Sequence, residues 1–382
     1  MDAANPTQIN PIVLVAGGTG GHVFPAQAVA AELRAKGYTL ALLTDDRGAD
    51  WIGGLGNIST HTIRAGRVTG VAFSQRVKGA FDLVLGALQS RLLLRRLAPS
   101  VVIGFGGYTS VPAVMAATSL RLPTVIHEQN ALLGRANRLL ASRVSVIAIS
   151  FPEVTHLREQ DSHKVVYTGN PVRTAVEALR ATPYLAPAHG EDIHLLVIGG
   201  SQGARVFSEV VPGAIARLSD HLRRRIRLTQ QCRPEDMDRV AAAYDEIGFS
   251  AELAPFFEDL ADRLGLAHLV ICRSGASTIA ELTVAGRPAI LVPYAHAADD
   301  HQAVNAHALA DRHGAEVILE TDFKSEILAA RLKLLLDQPA TLTTMAAAAH
   351  RIGLEHAAGN LAAIATGLIP TSDANGNGRQ AA

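Results

Sequence analysis

Two glycine-rich segments carry the residues best suited to bind an anion. The first glycine loop is Gly17-Gly18-Thr19-Gly20-Gly21-His22, and the second is Gly199-Gly200-Ser201-Gln202-Gly203. Each follows a run of aliphatic and β-branched residues and precedes a helical pattern, so that backbone N–H groups and the positive end of a helix dipole can approach an anion. We therefore expect phosphorylated ligands at both loops, although the same glycines could serve only to pack strand against helix.

The spacing of these glycines differs from that of the common nucleotide motifs. Counted from Gly18, the last glycine of a G-x-G-x-x-G fingerprint would fall on Val23, and Ser201 stands at the middle glycine of the second loop. Neither loop ends in the Gly-Lys-Ser/Thr of a P-loop. A dinucleotide-dependent oxidoreductase and a P-loop enzyme are therefore disfavoured.

Other clusters of reactive side chains indicate neither a metal nor a disulfide framework. Residues 296–301 contain two histidines and two aspartates, but their spacing matches no zinc or carboxylate-metal motif, and we predict no metal. Two cysteines, Cys232 and Cys272, are too few for a disulfide scaffold or a four-cysteine zinc site. A reducing cytoplasm fits this cysteine usage.

Composition limits the remaining classes. The chain has 382 residues, 48% of them hydrophobic and 18% charged, which fits a globular protein of two domains. Its 35 basic and 35 acidic residues leave no net charge to attract nucleic acid. The N-terminus lacks a basic region before an apolar stretch, so no secretory signal is predicted. Charges interrupt the apolar region 80–107, so no membrane-spanning helix is predicted.

Short β-branched runs alternate with helical patterns throughout, which predicts an α/β fold with parallel sheets. In the first half a helix is expected from about Pro25 to Lys36, and the pattern of strand, glycines and helix starts again at Ile193. The expected strands are Ile12–Ala16, Thr39–Thr44, Val101–Phe105, Thr124–His127, Val144–Ile149, Lys164–Thr168, Ile193–Ile198, Ala251–Leu253, Leu269–Cys272, Ala289–Val292 and Ala315–Leu319. We expect an N-terminal domain over 8–172, a C-terminal domain over 173–349 and a disordered tail over 371–382.

Six motifs in one order together resemble the MurG family, the bacterial N-acetylglucosaminyltransferases of peptidoglycan synthesis. Besides the two glycine loops, the second extended to Arg205, they are Gly106-Gly107-Tyr108, His127-Glu128-Gln129-Asn130, Gly169-Asn170-Pro171-Val172-Arg173 and Cys272-Arg273-Ser274-Gly275-Ala276. The resemblance covers residues 12–365 and implies a GT-B fold, two Rossmann-like domains whose parallel sheets face a cleft. It also implies a final helix, about 350–368, that returns to the first domain.

The resemblance further implies a reaction. N-acetylglucosamine (GlcNAc) would move from UDP-GlcNAc, with inversion, to the 4-hydroxyl of N-acetylmuramic acid (MurNAc) in undecaprenyl-pyrophosphoryl-MurNAc-pentapeptide. This converts lipid I to lipid II without a cofactor, at the cytoplasmic face of the inner membrane, where other cell-wall synthesis proteins are possible partners. A UDP-sugar 2-epimerase of the same fold and a noncatalytic nucleotide-sugar sensor are the alternatives.

On the donor side, the resemblance assigns residues of the second domain to UDP-GlcNAc. Ser201 would contact the diphosphate, Arg173 would add a positive charge, and Glu281 would bind the ribose hydroxyls. For Arg173 an interdomain salt bridge is the alternative, and for Glu281 a solvated helix position. Phe256 and Phe257 match the uracil pocket, although buried packing is as plausible for Phe256. The further donor-site residues are Thr19, Gly20, Gly21, Asn130, Ala276, Ser277, Thr278, Gln302 and Asn305.

On the acceptor side, the resemblance implies that the first glycine loop would lie near the lipid-linked diphosphate or the transferred sugar. The acceptor residues implied are Gly18, Thr19, Tyr108, Glu128 and Asn130. His22 is the candidate general base, because imidazole has an ordinary pKa of about 6.5 and accepts a proton near neutrality. It could instead serve as a hydrogen-bond partner at the helix start or as a cation for phosphate. Glu128 is the competing base.

A basic and apolar segment could contact a membrane. Between Arg64 and Arg96 seven basic residues face a single acid, Asp82. Two apolar sets recur there at helical spacing: Val77, Phe81, Val84, Leu88 and Leu92, and on another face Leu83, Ala87 and Leu94. One set must pack in the core, and the other could rest on anionic lipid as a peripheral contact.

The donor pocket departs from the usual family pattern at two places. The chain has His301-Gln302 where two glutamines are usual, and Gln230-Gln231-Cys232-Arg233 in place of His-Gln-Ser-Gly.

Overall fold

The computed structural model describes residues 10–17, 20–46, 58–66, 73–200 and 203–370, without the side chains of 20 and 73–76. These residues form two compact units. The first unit comprises the described parts of Met1–Gln129, Leu133–Pro171 and His356–Ala382. The second unit comprises Asn130–Leu132 and the described part of Val172–Glu355.

The described strands of the first unit form one seven-stranded parallel sheet in the order β3-β2-β1-β4-β5-β6-β7. The strands are β1 (Ile12–Val15), β2 (Leu40–Thr44), β3 (Ser59–Thr62), β4 (Val101–Gly104), β5 (Thr124–Glu128), β6 (Val146–Ile149) and β7 (Val165–Tyr167). All four residues of β1 are buried, because helices cover both faces of the sheet. The helices are α1 (Gly20–Ala35), α2 (Phe73–Leu97), α3 (Gly107–Ser119) and α4 (Arg135–Leu140).

The described strands of the second unit form a six-stranded parallel sheet in the order β10-β9-β8-β11-β12-β13. They are β8 (Ile193–Ile198), β9 (Ile226–Gln231), β10 (Ala251–Ala254), β11 (Leu269–Cys272), β12 (Ala289–Leu291) and β13 (Ala315–Val317). The helices are α5 (Thr174–Ala178), α6 (Arg205–Ala216), α7 (Asp220–Arg225), α8 (Met237–Glu246), α9 (Leu260–Leu266), α10 (Ala276–Ala285), α11 (His301–Ala310), α12 (Ser325–Leu336) and α13 (Pro339–Ile352). Short 3₁₀ turns in the two units span Glu159–Lys164, Leu179–Ala181, Pro234–Asp236, Ala298–Asp300 and Glu320–Asp322.

The last helix, α14 (Ala357–Gly367), belongs to the first unit, although the second unit precedes it in the chain. Its buried residues Leu361, Ala362 and Ala365 join the core cluster that contains Val29 and Leu33 of α1. The helix therefore completes the apolar cover over α1. Residues 371–382, predicted to be a disordered tail, lie outside the described residues.

The α/β fold with two parallel sheets is confirmed, and the structure adds two strands that the sequence did not predict. The sequence of β3 is Ser-Thr-His-Thr, polar and largely exposed at the sheet edge. In β9 the buried Ile226 and Leu228 alternate with polar residues, directly after three arginines of α7. Neither strand has the continuous apolar run that marks the central strands.

Among the helices of the described residues, none combines the length and the apolar character needed to cross a membrane.

Candidate active site

In the first unit, the first glycine loop leaves β1 at a crowded point. A Cβ atom at Gly17 would lie 2.6 Å from Asp45 Oδ1 and 2.8 Å from Thr109 Oγ1, so only glycine fits there. Gly18 and Thr19, both predicted to contact ligand, lie outside the described residues.

Helix α1 begins at Gly20, so the predicted helix start near Pro25 was wrong. Proline is favoured at the first position of a helix, but here it lies inside α1, where it has no N–H to donate. Gly20, Gly21 and His22 thus form the first helical turn, whose N–H groups have no partner within the helix. His22 projects from a regular helix.

The imidazole of half-buried His22 packs against the turn that opens α3. A Cβ at Gly106 would lie 3.3 Å from His22 Nδ1, and one at Gly107 would lie 3.2 Å from His22 Cδ2. Both glycines have positive φ, +89° and +71°, which other residues rarely adopt. Tyr108 follows directly and is also half-buried, so the structure places two predicted acceptor motifs side by side.

A buried histidine and glutamine lie behind this turn. Gln129 Nε2 donates to Phe105 O at 2.8 Å and lies 3.1 Å from His127 Nδ1, while His127 Nε2 lies 3.1 Å from Gly169 O. This network assigns the neutral tautomer with the proton on His127 Nε2. Burial lowers the pKa of His127 to about 4. The hydrogen bond to the Gly169 carbonyl opposes this shift, and the nearby His22 adds to it. His127 therefore stays neutral near pH 7.

Glu128, the competing base, is buried and holds the start of α4. Its Oε2 accepts hydrogen bonds from the Gly134 N–H at 2.8 Å and from Asn137 Nδ2 at 2.9 Å. Asn137 Nδ2 also donates to His127 O at 3.1 Å. These contacts give the carboxylate a structural task at the end of β5.

In the second unit, Gln231 holds the second glycine loop, and the sequence did not reveal this role. Its Oε1 accepts from the Gly199 N–H at 2.9 Å, and its Nε2 donates to Gly200 O and Pro255 O, both at 3.0 Å. Gln231 ends β9, which pairs with β8 in parallel. The signal would have been a glutamine at the end of a strand beside the loop, but that strand was not predicted. Ser201 lies outside the described residues.

Arg173 and Glu281 form an ion pair within the second unit. Arg173 Nε donates to Glu281 Oε1 at 2.9 Å, and Arg173 NH2 lies 2.9 Å from the same oxygen. The interdomain salt bridge considered for Arg173 was wrong, because both residues belong to the same unit. Glu281 is not the solvated residue of the alternative, since only 16% of its side chain is exposed. Burial raises the pKa of Glu281, and the Arg173 charge and hydrogen bond oppose that rise.

The first turn of α10 lies on the same helix as Glu281 and contains Ala276, Ser277 and Thr278, all half-buried. The helix follows Gly275, which has no side chain to cap its first N–H groups. This turn can therefore donate to an anion or to a ligand oxygen.

Phe256 and Phe257 differ in environment. Phe256 is 64% exposed, so the buried packing considered for it was wrong. Phe257 is buried, with the guanidinium of Arg263 4.4 Å from the centre of its ring. An exposed ring next to Pro255, which Gln231 binds, is free to cover a flat ligand.

Gln302 and Asn305 bind the protein itself. Gln302 Oε1 accepts from the Tyr294 N–H at 3.0 Å. Asn305 is fully buried: its Oδ1 accepts from the Ala131 N–H at 2.8 Å, and its Nδ2 donates to Asn130 Oδ1 at 3.0 Å and to Ser274 O at 3.2 Å. Both amide N–H donors of Asn305 are thus used and its side chain is fully buried, so a contact with a sugar would require these residues to rearrange.

The segment 296–301 forms a tight turn before α11. Asp299 and Asp300 adopt positive φ of 54° and 53°, and His301 Nδ1 lies 2.8 Å from Ala298 O. Within the described ranges, no group of three or more His, Cys, Asp or Glu side chains is placed to hold a metal ion.

Two family models match the chain, one in each half. The N-terminal domain of glycosyltransferase family 28 matches residues 12–149, and the C-terminal domain of that family matches residues 194–361. The matched ranges contain both glycine loops, His22 and Glu281.

Individual relatives agree with these models. A protein of Paramagnetospirillum magneticum called UDP-N-acetylglucosamine–N-acetylmuramyl-(pentapeptide) pyrophosphoryl-undecaprenol N-acetylglucosamine transferase is 52% identical over 95% of this chain and 98% of its own length. The protein of that name from Rhodospirillum centenum is 51% identical over 97% of this chain and 96% of its own. A crystal structure of Acinetobacter baumannii MurG superposes with a TM-score of 0.78 at 28% identity, over 94% of this chain and 99% of that one. The chain therefore belongs to the MurG family within glycosyltransferase family 28.

Proposed function

We propose that this enzyme transfers GlcNAc from UDP-GlcNAc to the 4-hydroxyl of MurNAc in undecaprenyl-pyrophosphoryl-MurNAc-pentapeptide, with inversion. The observation that carries the proposal is the near full-length identity to transferases named for this reaction. The reaction is the last cytoplasmic step of peptidoglycan precursor synthesis, from lipid I to lipid II.

The second unit supplies the donor side. The second glycine loop and the first turns of α6 and α10 offer N–H groups to the diphosphate. Glu281 Oε1 binds Arg173, which leaves Oε2 to accept hydrogen bonds from the ribose hydroxyls. The exposed ring of Phe256 covers the uracil.

The first unit supplies the acceptor side, with His22 as general base. His22 takes the proton of the MurNAc 4-hydroxyl while the oxygen attacks the anomeric carbon of GlcNAc. The bond from that carbon to the diphosphate breaks on the opposite face, and UDP leaves with the electron pair. The half-buried position of His22 against Gly106 and Gly107 fixes the direction of its ring and supports this role.

Acceptor-dependent transfer tests the proposal. The purified protein is mixed with radiolabelled UDP-GlcNAc, with or without a lipid-linked MurNAc-pentapeptide, and label is followed into the lipid fraction. We expect transfer only with the acceptor. A 2-epimerase would convert UDP-GlcNAc without acceptor, and a nucleotide-sugar sensor would bind it without releasing UDP; either result would refute the proposal.

We also propose that α2 places the enzyme on an anionic membrane. Its residues Val77, Phe81, Val84, Leu88 and Leu92, here called the apolar stripe, are each 56% to 61% exposed. They recur every three or four positions, so they share one face of the helix over about 22 Å. Leu94 and Ser90 are buried on another face. Of the two apolar faces expected from the sequence, the one that contains Leu94 packs in the core and the apolar stripe is exposed.

Cations accompany the apolar stripe. Lys78, Arg95 and Arg96 are exposed on the same helix. Apolar insertion together with the attraction of Lys and Arg to acidic lipid is the usual basis of peripheral binding. The membrane is the cytoplasmic face of the inner membrane, where the lipid-linked acceptor lies. Contacts with other cell-wall synthesis proteins stay a prediction.

Vesicle sedimentation tests the membrane contact. Phe81→Asp should lower binding to vesicles that contain acidic lipid, and added salt should weaken the binding of the unaltered protein. Leu185→Asp is the matched control, since Leu185 is 78% exposed in the second unit. Equal binding of both variants would refute the membrane role of the stripe.

A further inference from the structure

Arg233 lies at the edge of the second sheet where a ligand of the second glycine loop must bind. It follows β9 by two residues and precedes the turn Pro234–Asp236. Because β8 and β9 are parallel neighbours, the residues after both strands meet at one edge of the sheet. The second glycine loop leaves β8 at that same edge.

The side chain of Arg233 lies against Gly203, the last residue of the glycine loop. A Cβ atom at Gly203 would lie only 3.0 Å from Arg233 Cγ and 4.0 Å from Arg233 Nε. Gly203 has a φ of +67°, so a larger residue there would meet both strain and the arginine. The absence of a side chain at Gly203 thus lets the arginine lie against the loop.

The guanidinium of Arg233 has donors that the protein leaves uncommitted. Among the described residues its Nε–H has no hydrogen-bond partner, although that atom is shielded from solvent. Its ion-pair contact is with Glu235, at 3.6 Å from NH1, and 66% of the Glu235 side chain is exposed. Exposed pairs of this kind contribute little and are easily exchanged.

Arg173, the cation expected beside the diphosphate, differs from Arg233 because its guanidinium is already paired with a carboxylate. Its Nε and NH2 both contact the buried carboxylate of Glu281. The start of α6 lies beside Arg233 instead, because Gly203 and Ala204 directly precede that helix, and the N-cap residue Ala204 has no polar side chain to cap it. An uncapped helix N-terminus, a glycine loop and an uncommitted arginine therefore converge.

We infer that Arg233 binds the diphosphate of the nucleotide-sugar donor. The inference rests on the proposed function and adds Arg233 to the residues proposed to contact the diphosphate. A planar guanidinium donates two parallel hydrogen bonds to phosphate oxygens, which a lysine cannot reproduce. The contact stabilises the diphosphate both in the bound donor and as the leaving group.

Calorimetric titration with UDP and with uridine tests the inference. Arg233→Gln should weaken UDP binding about 10-fold to 100-fold, the usual range for a hydrogen bond to a charged group, and leave uridine binding unchanged. Arg233→Lys should lie between this variant and the unaltered protein. Arg217→Gln is the matched control, because Arg217 follows α6 at its far end and pairs with Glu326.

The outcomes separate the inference from the proposed function. UDP binding by Arg233→Gln equal to that of the unaltered protein, or an equal loss of UDP and uridine binding, would overturn the role of Arg233. If Arg233→Gln fails to fold, as judged by circular dichroism, unchanged UDP binding by Arg233→Lys would overturn it. Absence of UDP binding and of sugar transfer in the unaltered protein would instead overturn the proposed function.

Discussion

The two glycine loops have the same strand–loop–helix arrangement but different surrounding side chains. Each leaves a buried central strand, β1 or β8, and leads to a helix at the carboxyl edge of a parallel sheet. In the first unit α1 begins within the glycines, and His22 stands in its first turn against Gly106 and Gly107. In the second unit α6 begins only at Arg205, and the amide of Gln231 binds both ends of the Gly199–Gly200 peptide segment.

This difference shows how one strand–loop–helix arrangement can serve both proton transfer and phosphate binding. The imidazoles of His22 and His127 lie near the first loop together with the carboxylate of Asp45, and His127 is held neutral by burial. Arg233 lies against Gly203 of the second loop, and the same unit contains the Arg173–Glu281 ion pair. Imidazole can accept a proton near neutral pH, whereas arginine stays charged and binds phosphate. The side chains around the loops, more than the glycines, therefore divide the proposed reaction between the units.

Replacement of His22 should have the largest effect. With His22→Ala we expect kcat for acceptor-dependent transfer to fall about 100-fold to 10,000-fold, the usual contribution of a general base, with UDP affinity unchanged. Transfer assays and UDP titration measure the two quantities. His163→Ala, at an exposed histidine of the same unit, is the control. Turnover equal to that of the control would remove His22 from the role of base.

Replacement of Gln231 should act on the donor. Gln231→Ala removes three hydrogen bonds that hold Gly199, Gly200 and Pro255. We expect the KM for UDP-GlcNAc to rise about 10-fold, with a smaller change in kcat, because the loop loses its fixed position. Gln160→Ala, at an exposed site of the first unit, is the control. An unchanged KM would show that the loop keeps its position without the glutamine.

The central strands could be predicted from the sequence because burial on both faces requires continuous apolar runs. Strand β9 could not, since its buried residues alternate with polar ones after three arginines, and Gln231 was missed with it. The predicted start of α1 is too late, because glycines and a proline, which are usually unfavourable inside helices, here belong to the first turns of the helix.

The candidate site was harder to predict than the strands. The positions of His22 and Glu281 came from motifs, but their partners did not. Arg173 and Glu281 are 108 residues apart in the chain, and no local sequence pattern predicts a contact over that separation. The hydrogen bond from the Ala131 N–H to Asn305 Oδ1, across 174 residues, could not be predicted for the same reason.

Removal of Arg173 should make donor binding depend on pH. Burial raises the pKa of Glu281 and Arg173 opposes that rise, so Arg173→Gln should raise the pKa further. As the pH falls towards this pKa, the carboxylate gains a proton and loses its capacity to accept from ribose. Measured between about pH 5 and pH 9, the KM of the variant for UDP-GlcNAc should therefore begin to rise at a higher pH, as the pH is lowered, than the KM of the unaltered protein.

The stability of the Arg173→Gln variant should change with pH in the opposite sense. Its native state binds a proton on Glu281 more readily than the unfolded chain does, so the free energy of unfolding should fall as the pH rises above the unfolded pKa. Arg173→Lys keeps a positive charge and should restore much of the pH independence. A KM of Arg173→Gln that is constant over this range would show that the ion pair does not control the ionisation of Glu281.

The smallest effect is expected at Glu128, and it decides between the two candidate bases. Glu128→Gln keeps a side-chain oxygen that can accept from the Gly134 N–H or Asn137, so the start of α4 is retained. Because the hydrogen bonds of Glu128 to Gly134 and Asn137 are structural, turnover should change by less than about 10-fold, whereas loss of a general base costs about 100-fold or more. Thermal unfolding of the same variant should show a modest loss of stability, since an amide is a weaker acceptor than a carboxylate. A loss of turnover as large as that of His22→Ala, with unfolding unchanged, would transfer the role of base to Glu128.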